Sequence, residues 1–249
     1  MATDLPLLGI VTALPNEARS LGADRARARA IVRISPRVLV IRAGIGRPRA
    51  ERAALALIEA GAQALLAWGT AAALDPGLNC GELVIPRDVI THDGRHIDVD
   101  AQWHRRMWAL VEPMGRCRLG SLAEAGGVLT HADDKLRLRA LSGALIADME
   151  SAAVADVAQR AGMPVLIVRG VSDSADMGVP PSALAAVDEN GDVDALRCVF
   201  DLLRAPRQLP ALLRLAGGFR SACARLTQLA ERAAPEFCLR ESRAGSSQA

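Results

Sequence analysis

Residues 148–176 constrain the fold more than any other stretch, because a helix pattern there leads directly into a buried-strand pattern. Apolar residues recur at helical spacing over 153–161, and Gly162 with Pro164 ends that pattern. The run 164–170 is short and almost entirely apolar, which is typical of a strand covered on both faces. A helix that runs back antiparallel to the following strand predicts an α/β fold in which the helix start and the strand end share one edge of the sheet.

Two carboxylates fall at that predicted edge. Glu150 stands at the helix start and Asp173 just past the strand end, where open α/β sheets bind ligands. A carboxylate at a helix start also stabilises the helix, and that purely structural role stays open for Glu150. A pair of carboxylates suits glycosidic cleavage, in which a general acid protonates the leaving group and the transition state resembles an oxocarbenium ion.

The rest of the chain continues the alternation of strands and helices. Apolar runs predict strands at 7–13, 38–43, 64–68, 81–90 and 127–130, and helical spacing predicts helices at 48–60 and 101–111. Asp133 is the expected cap of the helix that follows the last of these strands. A final amphipathic helix with several arginines is predicted at 209–232. We therefore expect a catalytic domain at 1–205, a helical extension at 206–235 and a disordered tail at 236–249.

Composition narrows the range of partners. With 249 residues and 51% hydrophobic side chains the chain can bury one sizeable core, and its net charge is only +2. Because three Phe, three Trp and no Tyr offer few stacking platforms, we expect no nucleic-acid partner. The five cysteines form no CxxC pair and are predicted to be reduced. We find no signal-peptide pattern and no apolar run of membrane-spanning length, which favours a cytoplasmic protein.

Two histidines raise the question of a metal site. His92 and His96 have the four-residue spacing that brings ligands together on a helix, and acidic residues lie nearby. Gly94 between them favours a loop instead, so no metal site is expected.

Several segments resemble the nucleoside phosphorylase and nucleosidase superfamily, in particular the methylthioadenosine and adenosylhomocysteine nucleosidases. In chain order they are GIVTALPNE, AGIGRPRA, WGTAAAL, VITHD and DMESAAVADVAQRAGMPVLIVRGVSDSAD. The resemblance implies a three-layer, Rossmann-like nucleoside phosphorylase fold with a mixed central sheet. It also implies a homodimer that uses no cofactor and acts on an adenosyl compound.

The same resemblance assigns roles around the substrate. Glu150 would bind the ribose 2′- and 3′-hydroxyls, and Met149 would pack under the sugar. Asp173 would protonate purine N7, and an aspartate at this position implies adenine as the base. Ser172 and Arg169 would support Asp173.

One position departs from the family pattern. His131 stands where the family places aromatic or apolar residues beside the purine. It is therefore included among the predicted residues of the purine pocket.

The group that attacks the sugar has two candidates. Glu17 matches the glutamate that activates water in the hydrolases of this superfamily. Gly44 and Gly46 could instead cradle phosphate with help from Arg42 and Thr70, because glycines let backbone N–H groups approach an anion. Phosphate as a co-substrate and water as the nucleophile both stay open.

The C-terminal segment favours one subfamily. Residues 211–230, after the linker RAPRQLP, resemble the end of hopanoid-associated phosphorylases, which release adenine from adenosylhopane. We therefore expect phosphorolysis of adenosylhopane, with the last helix packed either on the domain or on the inner membrane surface. The alternatives are a methylthioadenosine or adenosylhomocysteine nucleosidase that uses Glu17, and a non-catalytic adenosine-binding or membrane-adaptor protein.

Overall fold

One mixed sheet forms the centre of the molecule. The computed structural model describes residues 6–24, 26–180, 183, 188, 190, 192, 206–234 and 237–239. In this part of the chain the sheet has nine strands. They are β1 (Leu8–Thr12), β2 (Ile31–Ser35), β3 (Val38–Arg42), β4 (Ala64–Ala73), β5 (Leu83–Ile90), β6 (His96–Asp98), β7 (Cys117–Glu124), β8 (Ile146–Asp148) and β9 (Val165–Asp173).

Six α-helices flank the sheet in the described residues. They are α1 (Pro15–Ser20), α2 (Arg47–Glu59), α3 (Ala101–Val111), α4 (Ala132–Ser142), α5 (Ser151–Arg160) and α6 (Leu209–Ala233). Helices α2 and α5 pack together over β1, β4 and β9. Helix α6 contacts both α1 and α3, and it crosses β9 and β4. This confirms the predicted α/β class with a mixed central sheet.

Strand β4 organises the sheet, because it pairs with β1 and β9 in parallel and with β8 in antiparallel. Strands β1, β3 and β9 are buried along their whole length, as expected for strands covered on both faces. The pairs β4–β9, β9–β5, β5–β7, β7–β8 and β8–β4 close a ring. The sheet therefore curls around the end of β4, and the carboxyl ends of β1, β4 and β9 come together.

The prediction for the segment before α4 was wrong in two respects. Residues 127–130 form a loop, and the strand in this region is β7, which ends at Glu124. The residue that caps α4 is His131, whose backbone N–H is bound by Asp134, and Asp133 lies inside the helix. Glycine and polar residues interrupt the apolar residues of β7 without a regular period, so neither an alternating pattern nor a continuous apolar run was present to predict the strand.

Helix α6 packs on the sheet over most of its length. Its buried positions are Gly218, Ala222, Leu226, Leu229, Ala230 and Ala233. The approach is close, since a Cβ atom on Gly218 would lie 2.2 Å from the backbone oxygen of Ser172. Only the start of the helix presents large apolar side chains to the surface, where Leu209 is 41% and Leu213 62% exposed. No helix among the described residues has the length and apolar character needed to span a bilayer.

The predicted disordered tail begins with ordered residues. Phe237 is buried, and its backbone oxygen accepts a hydrogen bond from the indole N–H of Trp103 at 2.7 Å. Arg106 binds the backbone oxygens of Cys238 and Leu239. Disorder at 237–239 is therefore a wrong prediction, while residues 240–249 lie outside the described residues.

Candidate active site

A cavity of about 220 Å³ lies at the carboxyl ends of β1, β4 and β9. Its charged lining residues in the described part of the chain are all acidic: Glu17, Asp148, Glu150 and Asp173. Aliphatic side chains such as Leu14, Ile45 and Met149 form much of the remaining wall. The structure thus brings the predicted Glu17, Glu150, Met149, Thr70, Ser172 and Asp173 to one cavity.

Glu17 is buried and fixed by four hydrogen-bond donors. Its Oε2 accepts the backbone N–H groups of Ala13 at 2.9 Å and Leu14 at 3.0 Å. Its Oε1 accepts the backbone N–H of Thr70 at 2.8 Å and the hydroxyl of the same residue at 2.9 Å. All four donors are electrically neutral, so they orient the carboxylate without cancelling its charge.

Gly69 leaves the space that the Glu17 side chain occupies, because glycine has no side chain. Gly69 pairs with Arg169 across β4 and β9. A Cβ atom at Gly69 would lie 2.7 Å from both the Arg169 Nη1 and the carboxyl group of Glu17. Only glycine lets these two side chains approach each other over the backbone of β4.

Glu150 faces the cavity from the N-terminus of α5. Its Oε1 accepts the backbone N–H of Gly46 at 2.6 Å, and Gly46 has a φ of 97°, which glycine adopts far more readily than other residues. Glu150 is half-buried, and burial of its carboxyl group, together with the nearby charge of Asp148, raises the pKa of Glu150 to about 8. Glu150 is therefore mainly protonated at neutral pH in the free protein.

Arg169 binds Asp148 and not Asp173. The prediction that Arg169 supports Asp173 was therefore wrong. Its Nε donates to Asp148 Oδ2 at 2.5 Å, and its Nη2 contacts the Ser151 hydroxyl at 2.9 Å. The cause is a β-bulge in β9: Ala71 pairs with Val171, but Ala72 pairs with Asp173. The extra residue, Ser172, turns Asp173 to the opposite face of the strand from Arg169.

Asp173 has two partners, one on each carboxyl oxygen. The Ser172 hydroxyl contacts Oδ1 at 2.6 Å, as predicted. The Lys135 ammonium group forms an ion pair with Oδ2 and also donates to the backbone oxygen of Ser174 at 2.7 Å. Lys135 is completely buried, and the sequence patterns gave it no role. The available signal was that it is the one lysine in a chain whose other basic residues are all arginine.

The predicted phosphate-binding groups are bound to carboxylates. The Gly46 N–H is bound to Glu150, and the Thr70 N–H and hydroxyl are bound to Glu17. Arg42 lies outside the cavity, where its Nη1 donates to Asp192 Oδ1 at 2.6 Å. Gly44 has a φ of 86° and is buried but is not among the residues that line the cavity.

His131 was predicted to line the purine pocket, but neither it nor His92 or His96 is among the residues that line the cavity. His131 caps α4 with an exposed side chain and is not among the lining residues. His92 Nδ1 lies 3.4 Å from Glu124, and His96 Nδ1 lies 2.7 Å from Asp88. Among the described residues no group of three or more His, Cys, Asp or Glu side chains is arranged to hold a metal ion.

Sequence comparisons identify relatives of the chain. The sequence model of the Phosphorylase superfamily matches residues 8–204. A 5'-methylthioadenosine/S-adenosylhomocysteine nucleosidase of Shewanella sp. (strain MR-7) is 30% identical in an alignment of length 166 that covers 57% of this chain and 69% of the relative. The corresponding nucleosidase of Shewanella oneidensis is 29% identical over 64% of this chain and 76% of its own length.

Solved structures of nucleosidases and of a futalosine hydrolase have the same fold as this chain, which confirms the predicted nucleoside phosphorylase type of fold. An S-adenosylhomocysteine nucleosidase from Streptococcus pyogenes, in complex with 5-methylthiotubericidin, superimposes with a TM-score of 0.70 at 18% identity. The superposition covers 94% of this chain and 100% of that one. Futalosine hydrolase of Helicobacter pylori superimposes with a TM-score of 0.68 at 16% identity, over 91% of this chain and 96% of its own.

Proposed function

The chain belongs to the Phosphorylase superfamily, and from that premise we propose that it hydrolyses the N-glycosidic bond of an adenine nucleoside. The superfamily match and the two nucleosidase relatives indicate an enzyme of the N-glycosidase type. One observation carries the choice of water: Glu17 lines the cavity and is held by neutral donors that leave its charge uncancelled. A carboxylate in this place stabilises a cationic, oxocarbenium-like transition state and disfavours a phosphate dianion.

The proposed reaction divides the work between two ends of the cavity. At one end, Glu17 takes a proton from water, whose oxygen attacks C1′ of the ribose. At the other end, Asp173 gives a proton to N7, and the purine keeps the electron pair of the broken bond and leaves as neutral adenine. Glu150 binds the ribose hydroxyls, and Met149 packs beneath the sugar.

The hydrogen bonds of the free protein support water over phosphate. The donors that a phosphate ion would need at Gly46 and Thr70 already bind Glu150 and Glu17. A phosphate ion at these donors would also meet two carboxyl groups at hydrogen-bond distance from the same atoms. Because Glu150 is already mainly protonated, it is the Glu17 carboxylate that would have to move away or take up a proton before phosphate could bind there.

Phosphorolysis of adenosylhopane is the second candidate. It would break the same N-glycosidic bond and release the same base, adenine. The observation that favours phosphate is at Arg42, whose buried Nε has no hydrogen-bond partner among the described residues. Arg42 is the last residue of β3, next to the glycine loop at 44–46. A phosphate ion there would have to compete with Asp192 for the guanidinium group.

Assembly and location also stay proposals. We expect a homodimer and a cytoplasmic protein. Contact with the inner membrane surface would involve the start of α6, where Leu209 and Leu213 are exposed. The buried part of α6 is packed against β9 and is not available to lipid.

Free adenine is the product that tests these proposals. The purified protein is incubated with methylthioadenosine, adenosylhomocysteine, adenosylhopane and inosine, each with and without phosphate, and the released base is measured. We expect adenine in phosphate-free buffer and no release of hypoxanthine from inosine. Strict dependence on phosphate would replace hydrolysis by phosphorolysis, and preference for adenosylhopane would support the second candidate. Absence of base release from every substrate would leave the non-catalytic, adenosine-binding alternative.

A further inference from the structure

Lys135 is a buried cation in direct contact with the proposed general acid. It is the fourth residue of α4, it has no exposed surface, and its Nζ is paired with Asp173 Oδ2. A second bond from the same nitrogen to the Ser174 backbone oxygen, 2.7 Å long, fixes the ammonium group at the end of β9. Lys135 is thus tied to both the side chain and the backbone of the acid-bearing segment.

The stability of the folded protein does not explain why a lysine occupies this position. A cation near a helix N-terminus is disfavoured by the helix dipole. Moving an ammonium group out of water costs several kcal/mol, and replacing a whole buried ion pair by apolar residues is often neutral or stabilising. A role in stability therefore gives no reason for an ammonium group here, whereas a role in setting up Asp173 does.

Both oxygens of Asp173 are engaged before any base arrives. Ser172 binds Oδ1 and Lys135 binds Oδ2. The Ser172 hydroxyl also lies 3.1 Å from the backbone oxygen of Ala71, so it has a second acceptor when Asp173 carries a proton. These two contacts hold the carboxyl group in one orientation at the wall of the cavity that Asp173 lines.

We propose that Lys135 is a positioning residue for Asp173, which orients the carboxyl group and stabilises the carboxylate that forms when Asp173 protonates the leaving base. The inference rests on the proposed function. In that step the C1′–N9 bond breaks and its electron pair stays on the purine. Asp173 is an ion-paired carboxylate in the free protein and takes up a proton from solvent when the base binds. That proton moves to N7, so adenine is neutral and the carboxylate beside the ammonium group forms again. Glu17 returns to solvent the proton that it took from water, which balances the proton that Asp173 took up.

The role predicts a dependence on the leaving group. Adenine needs a proton in order to leave, whereas 4-nitrophenolate is stable as an anion and leaves without one. Lys135→Met removes the charge and keeps a similar volume. We expect kcat for the adenine nucleoside to fall about 10- to 100-fold, which is less than the loss of the acid itself, with KM changed little. With a 4-nitrophenyl riboside, kcat should fall less than about 3-fold, because the acid is not used.

A matched control lies on the same helix. Arg139 pairs with Asp75 at 2.6 Å and does not line the cavity. Arg139→Met removes a cation and an ion pair from α4 without touching Asp173, so both substrates should be cleaved at the normal rate. The melting temperature of each variant, measured in parallel, separates loss of fold from loss of function.

A double variant keeps the test decisive if Lys135→Met alone fails to fold. In Asp173→Asn with Lys135→Met no buried charge is left unpaired. If Lys135 acts through Asp173, the double variant and Asp173→Asn alone have the same rate on both substrates. A further loss in the double variant, or an equal loss with the nitrophenyl riboside in the single variant, would overturn the role. Absence of adenine release by the unsubstituted protein would instead overturn the proposed function on which the role rests.

Discussion

The two ends of the cavity hold their carboxyl groups in different ways. At the sugar end, Glu17 and Glu150 are bound by backbone N–H groups and one hydroxyl, all of them neutral. At the base end, Asp173 is bound by a full positive charge on Lys135. At Glu17 the neutral donors fix the carboxylate and leave its charge available to a cationic sugar. A charged partner instead suits a group that becomes negative during the reaction.

The largest expected effect is at the base end. Asp173→Asn removes the proton donor and keeps the shape, so turnover of adenine nucleosides should fall about 10²- to 10⁴-fold. Steady-state kinetics on a folded variant provide the measurement. A near-normal rate would show that the base leaves without help from Asp173, and the contrast between the two ends would disappear.

The next effect is at the sugar end. Gly69→Ala would place a Cβ atom 2.7 Å from both the Glu17 carboxyl group and Arg169, which must then separate. Displacing a reacting group by about 1 Å can cost about 10²-fold in rate, and we expect a loss of that size in kcat. Gly217→Ala is the control, since a Cβ atom there meets nothing within 4 Å. If both variants keep full activity, Glu17 does not need its present position.

Glu150, at the sugar end, makes a pH-dependent contribution to the stability of the folded protein. Its pKa is raised from 4.5 to about 8 in the folded protein, so the folded state binds more protons than the unfolded state between these values. The contribution of Glu150 is complete below about pH 4.5 and is lost as the pH rises toward 8, by at most about 1.4 kcal/mol per pH unit. Urea unfolding of Glu150→Gln between pH 5 and 8 should therefore show a flatter decline than the unsubstituted protein.

A surface carboxyl group serves as the control for that experiment. Glu59 is exposed at the end of α2, so Glu59→Gln should retain the full decline of stability with pH. An identical decline in Glu150→Gln would mean that Glu150 does not bind the extra proton in the folded state.

The smallest expected loss of activity comes from removing one of the four neutral donors that bind Glu17. Thr70→Val removes one of the four hydrogen bonds to Glu17 and keeps the backbone N–H of the same residue. Because a hydrogen bond to a charged group contributes at least about 1.5 kcal/mol, kcat should fall about 10-fold. A loss as large as that of Asp173→Asn would show that the Thr70 hydroxyl has a catalytic role of its own.

The sheet edge at which these residues converge was predictable from strong strand patterns, whereas the role of Glu17 was implied by the family resemblance. Glu17 follows β1, Thr70 lies in β4, and Asp173 ends β9, and each of these strands has an apolar run that defines its end. Parallel strands with covered faces bring such ends together. For these residues local pattern and global fold agree.

The partners of the carboxyl groups were not predictable in the same way. Arg169 and Asp173 have even spacing, which predicts one face of a strand, and the bulge at Ser172 reverses that relation. Lys135 lies on a helix with acidic neighbours and no clear apolar stripe, a pattern typical of a solvated face. Arg42 meets Asp192 from a segment 150 residues away, a contact that no local pattern encodes.

The division of labour between the two ends is tested most directly by changing the leaving group. Glu17→Gln and Asp173→Asn are each assayed with an adenine nucleoside and with a 4-nitrophenyl riboside in phosphate-free buffer. We expect Glu17→Gln to lose activity on both substrates, since both need water activated at C1′. Asp173→Asn should lose activity only on the adenine nucleoside. Full activity of Glu17→Gln, or equal losses on the two substrates in Asp173→Asn, would contradict the assignment of water activation to one end and base protonation to the other.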